Sequence, residues 1–298
     1  MSLLLLGAGG QVGREIAALA HARGTSLIAL DRAGADITDA ASIERAIAAH
    51  KPDVVINAAA YTAVDRAESE PELAYRINAE APGLIAASCA RHGAALIHIS
   101  TDYVFDGSKR GAYVESDPVA PLGVYGASKE AGERAVRERL DRHVIARTSW
   151  VYGVHGANFL KTMLRLAATR DRLTVVADQK GCPTAARDIA EGLTVAAAAL
   201  QAGKPVAGTY HLAGSGVMTW HGFARAIVER AAIHTGRPVE VAAITTADYP
   251  TPARRPANSQ LSSELFAATF GFRAAPWQQR AAEVVDALLA PATPEETS

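Results

Sequence analysis

The chain has 298 residues, 49% of them hydrophobic, with 30 lysines and arginines against 31 aspartates and glutamates. That balance excludes a broad electrostatic attraction to nucleic acid or to an anionic membrane, and the length suits one large or two modest globular domains. Two cysteines, Cys89 and Cys182, form neither a disulfide framework nor a metal knuckle, which points to a reducing compartment. The opening run Met1–Leu6 lacks a basic start and is broken by Gly7, Gly9 and Gly10, so it reads as a buried strand rather than a secretory leader. No apolar stretch reaches the ~18 residues of a membrane helix. A cytoplasmic protein is expected.

In chain order, Leu3–Leu6, Leu27–Leu30, Val54–Ile56, Leu96–Ile99, Val144–Ala146, Leu173–Val176 and Tyr210–Leu212 are candidate strands. Several are continuously apolar, as parallel strands covered on both faces require. Helical segments alternate with them: Val12, Ile16 and Leu19 form one stripe, and Gly24 stops that helix. The alternation predicts an α/β fold with a doubly wound parallel sheet of Rossmann type and a smaller C-terminal substrate lobe. Beyond Trp150 the pattern loosens into helices over Asn158–Ala168, Thr219–His234 and Trp277–Leu289, a proline-rich stretch from Pro250 to Pro256, and a frayed tail from Pro291 to Ser298. The expected division is a dinucleotide-binding domain over 1–150, to which segments near 170–190 and 208–250 return, and a mainly substrate-binding lobe over 151–298.

The first strand runs into Gly7-Ala-Gly-Gly10-Gln-Val-Gly13 and then a helix. Glycines there let the backbone approach a pyrophosphate at a helix N-terminus, where free N–H groups favour negative charge. An ordinary glycine-rich turn is the alternative. The position after the first strand, with Asp31 closing the second, favours a dinucleotide site. A carboxylate at Asp31 suits the ribose hydroxyls of NADH, whereas Arg32 suits the 2′-phosphate of NADPH. Asp36 and Ile37 read as an adenine edge, with a plain turn as the alternative for Asp36.

Tyr125-Gly-Ala-Ser-Lys129 places a phenol and an ammonium one helical turn apart. The ammonium is expected to lower the phenol pKa from about 10, making Tyr125 the proton donor to a ketone oxygen. Lys129 is also placed to hold the nicotinamide ribose. Thr101, at the carboxyl end of the fourth strand, is expected to donate a second hydrogen bond to that oxygen. A Tyr and Lys sharing a helix surface, or a strand-end cap, would explain each alone. Their order along the chain favours catalysis.

These residues occur in a longer series: Asn57-Ala-Ala-Ala-Tyr-Thr-Ala-Val-Asp65, Ser100-Thr-Asp-Tyr-Val-Phe-Asp-Gly107, Arg147-Thr-Ser-Trp-Val-Tyr-Gly153, Asp178-Gln-Lys-Gly-Cys-Pro-Thr184 and Arg254-Arg-Pro-Ala-Asn-Ser259. Over nearly the whole chain the series resembles the dTDP-4-dehydrorhamnose reductases, extended short-chain dehydrogenases that close the dTDP-L-rhamnose pathway. The resemblance implies hydride transfer from a nicotinamide to C4 of dTDP-4-dehydro-β-L-rhamnose, with NADPH as cofactor and NADH also open. It implies that Gly10, Gln11, Val12, Asp31, Asp36, Ile37, Ala60, Tyr61, Thr62, Tyr125 and Lys129 line the cofactor. Thr101, Asp102 and Trp150 would contact the dTDP-linked keto sugar, and Arg254 and Arg255 suit its pyrophosphate or form a solvated basic pair. Some members hold magnesium through acids at a dimer contact; Glu15 matches one such ligand, but Arg187 stands where another acid is needed, so no metal is expected, and the protein is read as a monomer or homodimer. His98 and His211 are expected to be packed rather than catalytic, and Trp220 and Trp277 to be packing aromatics.

Two rivals follow from the same residues. A nucleotide-sugar epimerase or dehydratase shares the fold, but the dehydratases resemble Thr-Asp-Glu after the fourth strand, and Tyr103 replaces that glutamate. A non-catalytic, cofactor-binding regulatory subunit has no use for an intact Tyr125, Lys129 and Thr101.

Overall fold

The computed structural model describes residues 2–290, so the tail read as frayed lies outside the described residues. Six parallel strands form the central sheet: β1 Leu3–Leu6, β2 Leu27–Leu30, β3 Val54–Asn57, β4 Ala95–Thr101, β5 His143–Thr148 and β6 Gly208–His211. Their spatial order is β2-β1-β3-β4-β5-β6, with Leu5 opposite both Ala29 and Ile56. Every residue of β1 is buried because helices cover both faces. Leu3 and Leu5 face a core shared with Ile16 and the helix Ala186–Gln201, whereas Leu4 and Leu6 face Ile43, Ile85 and Val136. Burying each such leucine contributes about 1.5–3 kcal/mol. The chain goes from β1 to one side and returns to β3 on the other. The carboxyl ends of β1 and β3 therefore flank the crevice where open sheets of this kind take ligands.

The lobe has its own core. Helices Phe159–Ala167, Trp220–Thr235 and Trp277–Leu289 bring Leu160, Phe223, Ile227, Trp277 and Val285 together. Here the structure corrects the expected domain division. Of the later segments, helix Ala186–Gln201 and β6 do return to the main sheet. Arg172–Val176 instead pairs in parallel with Glu240–Ile244 in a separate two-stranded sheet of the lobe, and the helix Trp220–Thr235 stays there too. The reason is visible in burial: along Arg172–Val176 buried and solvent-facing residues alternate, with Leu173 and Val175 inward and Arg172 and Thr174 exposed. A strand covered on one face only cannot sit in the middle of a doubly covered sheet.

Two features fix the helix Val124–Arg139, which carries Tyr125 and Lys129. The fully buried Glu133 accepts from Arg147 Nε at 2.8 Å and Nη2 at 2.7 Å, and from Ser100 Oγ at 2.6 Å, tying the helix to β5 and β4. Beside it, helices Pro71–Tyr75 and Ala81–His92 are joined through one wide π-helical turn, Arg76–Glu80. Such turns hold one extra residue and occur often at functional sites. Asn78 lies in this turn and is buried.

Candidate active site

The turn after β1 is built for close approach. Gly7 has φ +83°, and a Cβ there would lie 2.6 Å from the Ala59 backbone nitrogen; a Cβ on Gly13 would overlap the Gly7 carbonyl oxygen. A Cβ on Gly9 would meet nothing within 4 Å and would project into open space. The helix Gln11–Ala22 begins there with no side-chain cap, leaving first-turn N–H groups free. Gly7, Gly9, Gly10, Asp31, Arg32 and Asp36, together with Ala58–Ala60, wall a cleft of about 730 Å³. An anion is the natural occupant of such a backbone cradle.

The expected cofactor residues divide in this setting. Asp31 Oδ1 accepts from the backbone N–H groups of Ala33 and Gly34 at 3.0 Å each, so it shapes the loop as well as facing the cleft. Asp36 walls the cleft, and its Oδ1 accepts from Thr38 N at 2.9 Å and Thr38 Oγ1 at 2.7 Å. The Thr38 backbone hydrogen bond, followed by the Thr38 hydroxyl, holds this carboxyl below its usual range. The Ile37 side chain is buried in the core with Leu4 and Leu6. Val12 packs against the opposite core. Gln11 reaches the lobe, accepting from Asn158 Nδ2 at 2.9 Å. Tyr61 gives its hydroxyl to Glu70 at 2.6 Å, and Thr62 is exposed.

The loop Ala58–Thr62 is coupled to the Tyr125 helix through Asn78. The Tyr61 N–H donates to Asn78 Oδ1 at 2.8 Å, and Asn78 Nδ2 donates to Tyr61 O at 3.0 Å and to Ser128 Oγ at 3.1 Å. Glu68 caps the start of the same helix, accepting from Val124 N at 2.8 Å. Neither Asn78 nor Glu68 carries a sequence signal: each depends on a contact some fifty residues away, with Ser128 and Val124 respectively.

Tyr125 and Lys129 lie one turn apart, as expected, but they do not act on each other as expected. The Tyr125 phenol is pushed up to about 12, by burial and then by the charge of Asp102, with the Thr101 hydroxyl acting the other way. Lys129 Nζ points instead at the strand, donating to Ile99 O at 2.6 Å, and burial brings it down to about 8 against the pull of Glu133. The expected acidification of the phenol by the lysine is therefore absent in this state, because the ammonium is aimed at a carbonyl. The phenol remains a protonated donor at working pH. Thr101 Oγ1 donates to Asp102 Oδ1 at 2.9 Å. Asp102 is buried, its Oδ2 has no partner, and burial raises it to about 7.

Tyr103 lies edge-on to Tyr125, with ring centroids 5.5 Å apart, and borders a second cavity of about 810 Å³ walled by the lobe. Phe159, Gln179, Trp220, Tyr249 and Arg255 also line it. Trp150 has a left-handed backbone, φ +47°, and its indole stacks on Trp220 at 3.5 Å with a 5° angle between planes. Trp220, read from sequence as packing only, is thus part of this cavity; the aromatic directly after the N-cap Thr219 was the available signal. Trp277 is core, as expected. The expected basic pair splits. Arg255 lines the cavity and is held by Asp65 at 2.8 and 3.1 Å, whereas Arg254 is exposed. Among the described residues no three His, Cys, Asp or Glu side chains are grouped to hold a metal ion, and Arg187 pairs with Glu191 at 3.1 Å.

The family profile described as RmlD substrate binding domain matches residues 1–290. The chain belongs to the dTDP-4-dehydrorhamnose reductase family. The member of that family from Burkholderia thailandensis is 46% identical over 286 residues, covering 93% of this chain and 96% of its own length. The Escherichia coli dTDP-4-dehydrorhamnose reductase is 44% identical over 286 residues, 93% of this chain and 95% of that one. Among solved structures, the Clostridium acetobutylicum dTDP-4-dehydrorhamnose reductase superposes with a TM-score of 0.89 at 37% identity, covering 97% of this chain and 99% of that one. The Bacillus anthracis dTDP-4-dehydrorhamnose reductase, solved in complex with NADP, gives 0.88 at 34% identity over 95% and 97% of the two chains. A UDP-glucose 4-epimerase from Thermus thermophilus, 24% identical over 98% of this chain and 100% of that one with a TM-score of 0.77, shares the fold.

Proposed function

We propose that this chain reduces the C4 ketone of dTDP-4-dehydro-β-L-rhamnose to dTDP-β-L-rhamnose with NADPH, in dTDP-L-rhamnose biosynthesis. Relatives at 43–46% identity over most of the chain carry that activity in their names, and the Bacillus anthracis relative binds NADP. One observation carries the site assignment: the Thr101 hydroxyl stands beside the protonated Tyr125 phenol, with Tyr103, edge-on to Tyr125, bordering the lobe cavity.

The glycine cradle and the free first-turn N–H groups of the helix Gln11–Ala22 suit the cofactor pyrophosphate, and the exposed Arg32 suits a 2′-phosphate. When bound, the dihydronicotinamide supplies the hydride. Tyr125 supplies the proton to the ketone oxygen, a contribution of ~10²–10⁴-fold. Thr101 turns its hydroxyl proton from Asp102 Oδ1 to donate a second hydrogen bond as charge develops there. The unpartnered Asp102 Oδ2 is the natural acceptor for a sugar hydroxyl, since a buried acceptor left unpaired costs about 1–3 kcal/mol. The Trp150–Trp220 stack offers an apolar face to the sugar nucleotide, and Arg255 offers a guanidinium to its diphosphate once Asp65 shares it. With Tyr103 in place of an acid beside Asp102, the site lacks the extra carboxylate that elimination uses. No helix among the described residues is long and apolar enough to cross a membrane, which accords with the proposed cytoplasmic location.

The decisive assay supplies dTDP-glucose with an upstream dehydratase and epimerase and follows NADPH absorbance. One NADPH oxidised per dTDP-L-rhamnose formed is expected; keto sugar left unreduced with NADPH intact would overturn the reading.

A further inference from the structure

His98 is wholly buried on β4 and takes no part in the steps above. Its ring nitrogens each have one neighbour: Asn57 Nδ2 lies 3.2 Å from Nδ1, and Lys129 Nζ lies 3.5 Å from Nε2. Which nitrogen carries the proton follows from the far end of this chain of contacts. The Ala59 backbone N–H donates to Asn57 Oδ1 at 3.1 Å, so Oδ1 is an acceptor and the amide orientation is fixed. Asn57 Nδ2 must then donate to Nδ1. Burial keeps the imidazole neutral, with the Lys129 charge acting in the same direction. A neutral ring that accepts at Nδ1 carries its proton on Nε2, and that N–H faces the lysine amine.

We propose that His98 is a positioning residue for Lys129: locked by Asn57 as the Nε2–H tautomer, it turns a donor toward the amine, directs the ammonium onto Ile99 O and eases loss of its proton. The amine's other neighbours are accounted for. On its own helix, Tyr125 lies one turn before it and Glu133 one turn after, the latter paired with Arg147 of β5, Ser100 of β4 and Arg137. Glu133 favours the charged amine and burial disfavours it. Beyond Tyr125 stands Asp102. Only the imidazole contributes a group whose sense, donor or acceptor, is set by a remote contact. Because Ala58–Ala60 wall the cofactor cleft, the Ala59–Asn57–His98–Lys129 chain also links occupancy of that cleft to the amine.

Two measurements test this, the first independent of turnover. In the unmodified protein labelled with 15N-histidine, His98 (assigned by its loss in His98→Gln) should show the neutral Nε2–H pattern across the neutral range. An Nδ1–H pattern or a charged ring would overturn the proposal whatever the enzyme's substrate. The second rests on the proposed reduction. Asn57→Asp accepts from both Ala59 N–H and Nδ1–H, which reverses the tautomer and presents an acceptor to Lys129. With Lys129 taken to hold the nicotinamide ribose as an ammonium, the role its place beside Tyr125 suits, activity falls as pH rises through the lysine pKa, so the alkaline limb of the kcat profile should move upward by about one pH unit, a tenfold change in proton affinity. His98→Leu, which removes the donor, should move it the same way. A uniform loss of kcat with the limb unmoved would mean a merely structural role. A wild type that binds NADPH but leaves the keto sugar unreduced would sink the function and leave the tautomer measurement standing.

Discussion

The two cavities are close in volume, about 730 and 810 Å³, yet they are made of different material. The cleft beside β1 is largely a backbone surface, with glycines, an alanine run and uncapped N–H groups forming its walls beside Asp31, Arg32 and Asp36. The lobe cavity is a side-chain surface that includes the Trp220 indole, backed by Trp150, a phenylalanine and a guanidinium held by a carboxylate. A backbone surface recognises what all dinucleotides share and fails when a single Cβ intrudes. A side-chain surface recognises one sugar nucleotide and can be retuned residue by residue. In the proposed reduction the Tyr125 hydroxyl serves the reacting ketone, so its removal should fall on turnover rather than on cofactor binding.

That contrast is open to attack, beginning with the largest effect. Tyr125→Phe should lower kcat by ~10²–10⁴-fold while the NADPH dissociation constant, read by fluorescence titration, stays as it was; an equal loss in binding would merge catalysis with the cleft. Gly7→Ala puts a Cβ 2.6 Å from Ala59 N at φ +83°. At a strain of about 1–3 kcal/mol, calorimetry should find NADPH affinity reduced by roughly tenfold or more. If NADPH binds that variant normally, the cradle is not where the pyrophosphate sits. Trp220→Leu leaves the cleft alone and removes the partner of Trp150, so the KM for the sugar nucleotide should rise about 3- to 10-fold, the worth of an aromatic pair, with NADPH affinity unmoved. The smallest change is expected for Arg32→Ala. Its exposed guanidinium should be worth about 2- to 5-fold in NADPH affinity and nothing for NADH, and equal losses for both coenzymes would remove Arg32 from phosphate recognition.

The sequence announces the main sheet well because burial on both faces forces continuous apolar runs, and Leu3–Leu6 and Val54–Ile56 can be nothing else. It announces the backbone-built cleft for the same reason: only glycine permits the approach of Gly7 to Ala59. The lobe is harder. Leu173–Val176 is legible as a strand, but the alternation of the observed strand Arg172–Val176, which assigns it to a one-sided pair with Glu240–Ile244, is only five residues long. The left-handed backbone of Trp150 and its stacking on Trp220 have no local signature. Lys129 teaches a further limit. Helical spacing places it correctly beside Tyr125, but spacing is silent on which carbonyl the amine will choose, and Ile99 O is supplied by a strand thirty residues earlier.

The extra residue in the turn Arg76–Glu80 makes chain length itself a determinant of the site. Each residue of a helix advances the azimuth by about 100°. Deleting one position there would restore a regular spiral and leave the apolar anchors of Ala81–His92 seated, yet it would swing the Asn78 amide away from Tyr61 and Ser128. The cofactor loop and the tyrosine helix would then lose their common tether, even with every residue that borders a ligand left in place.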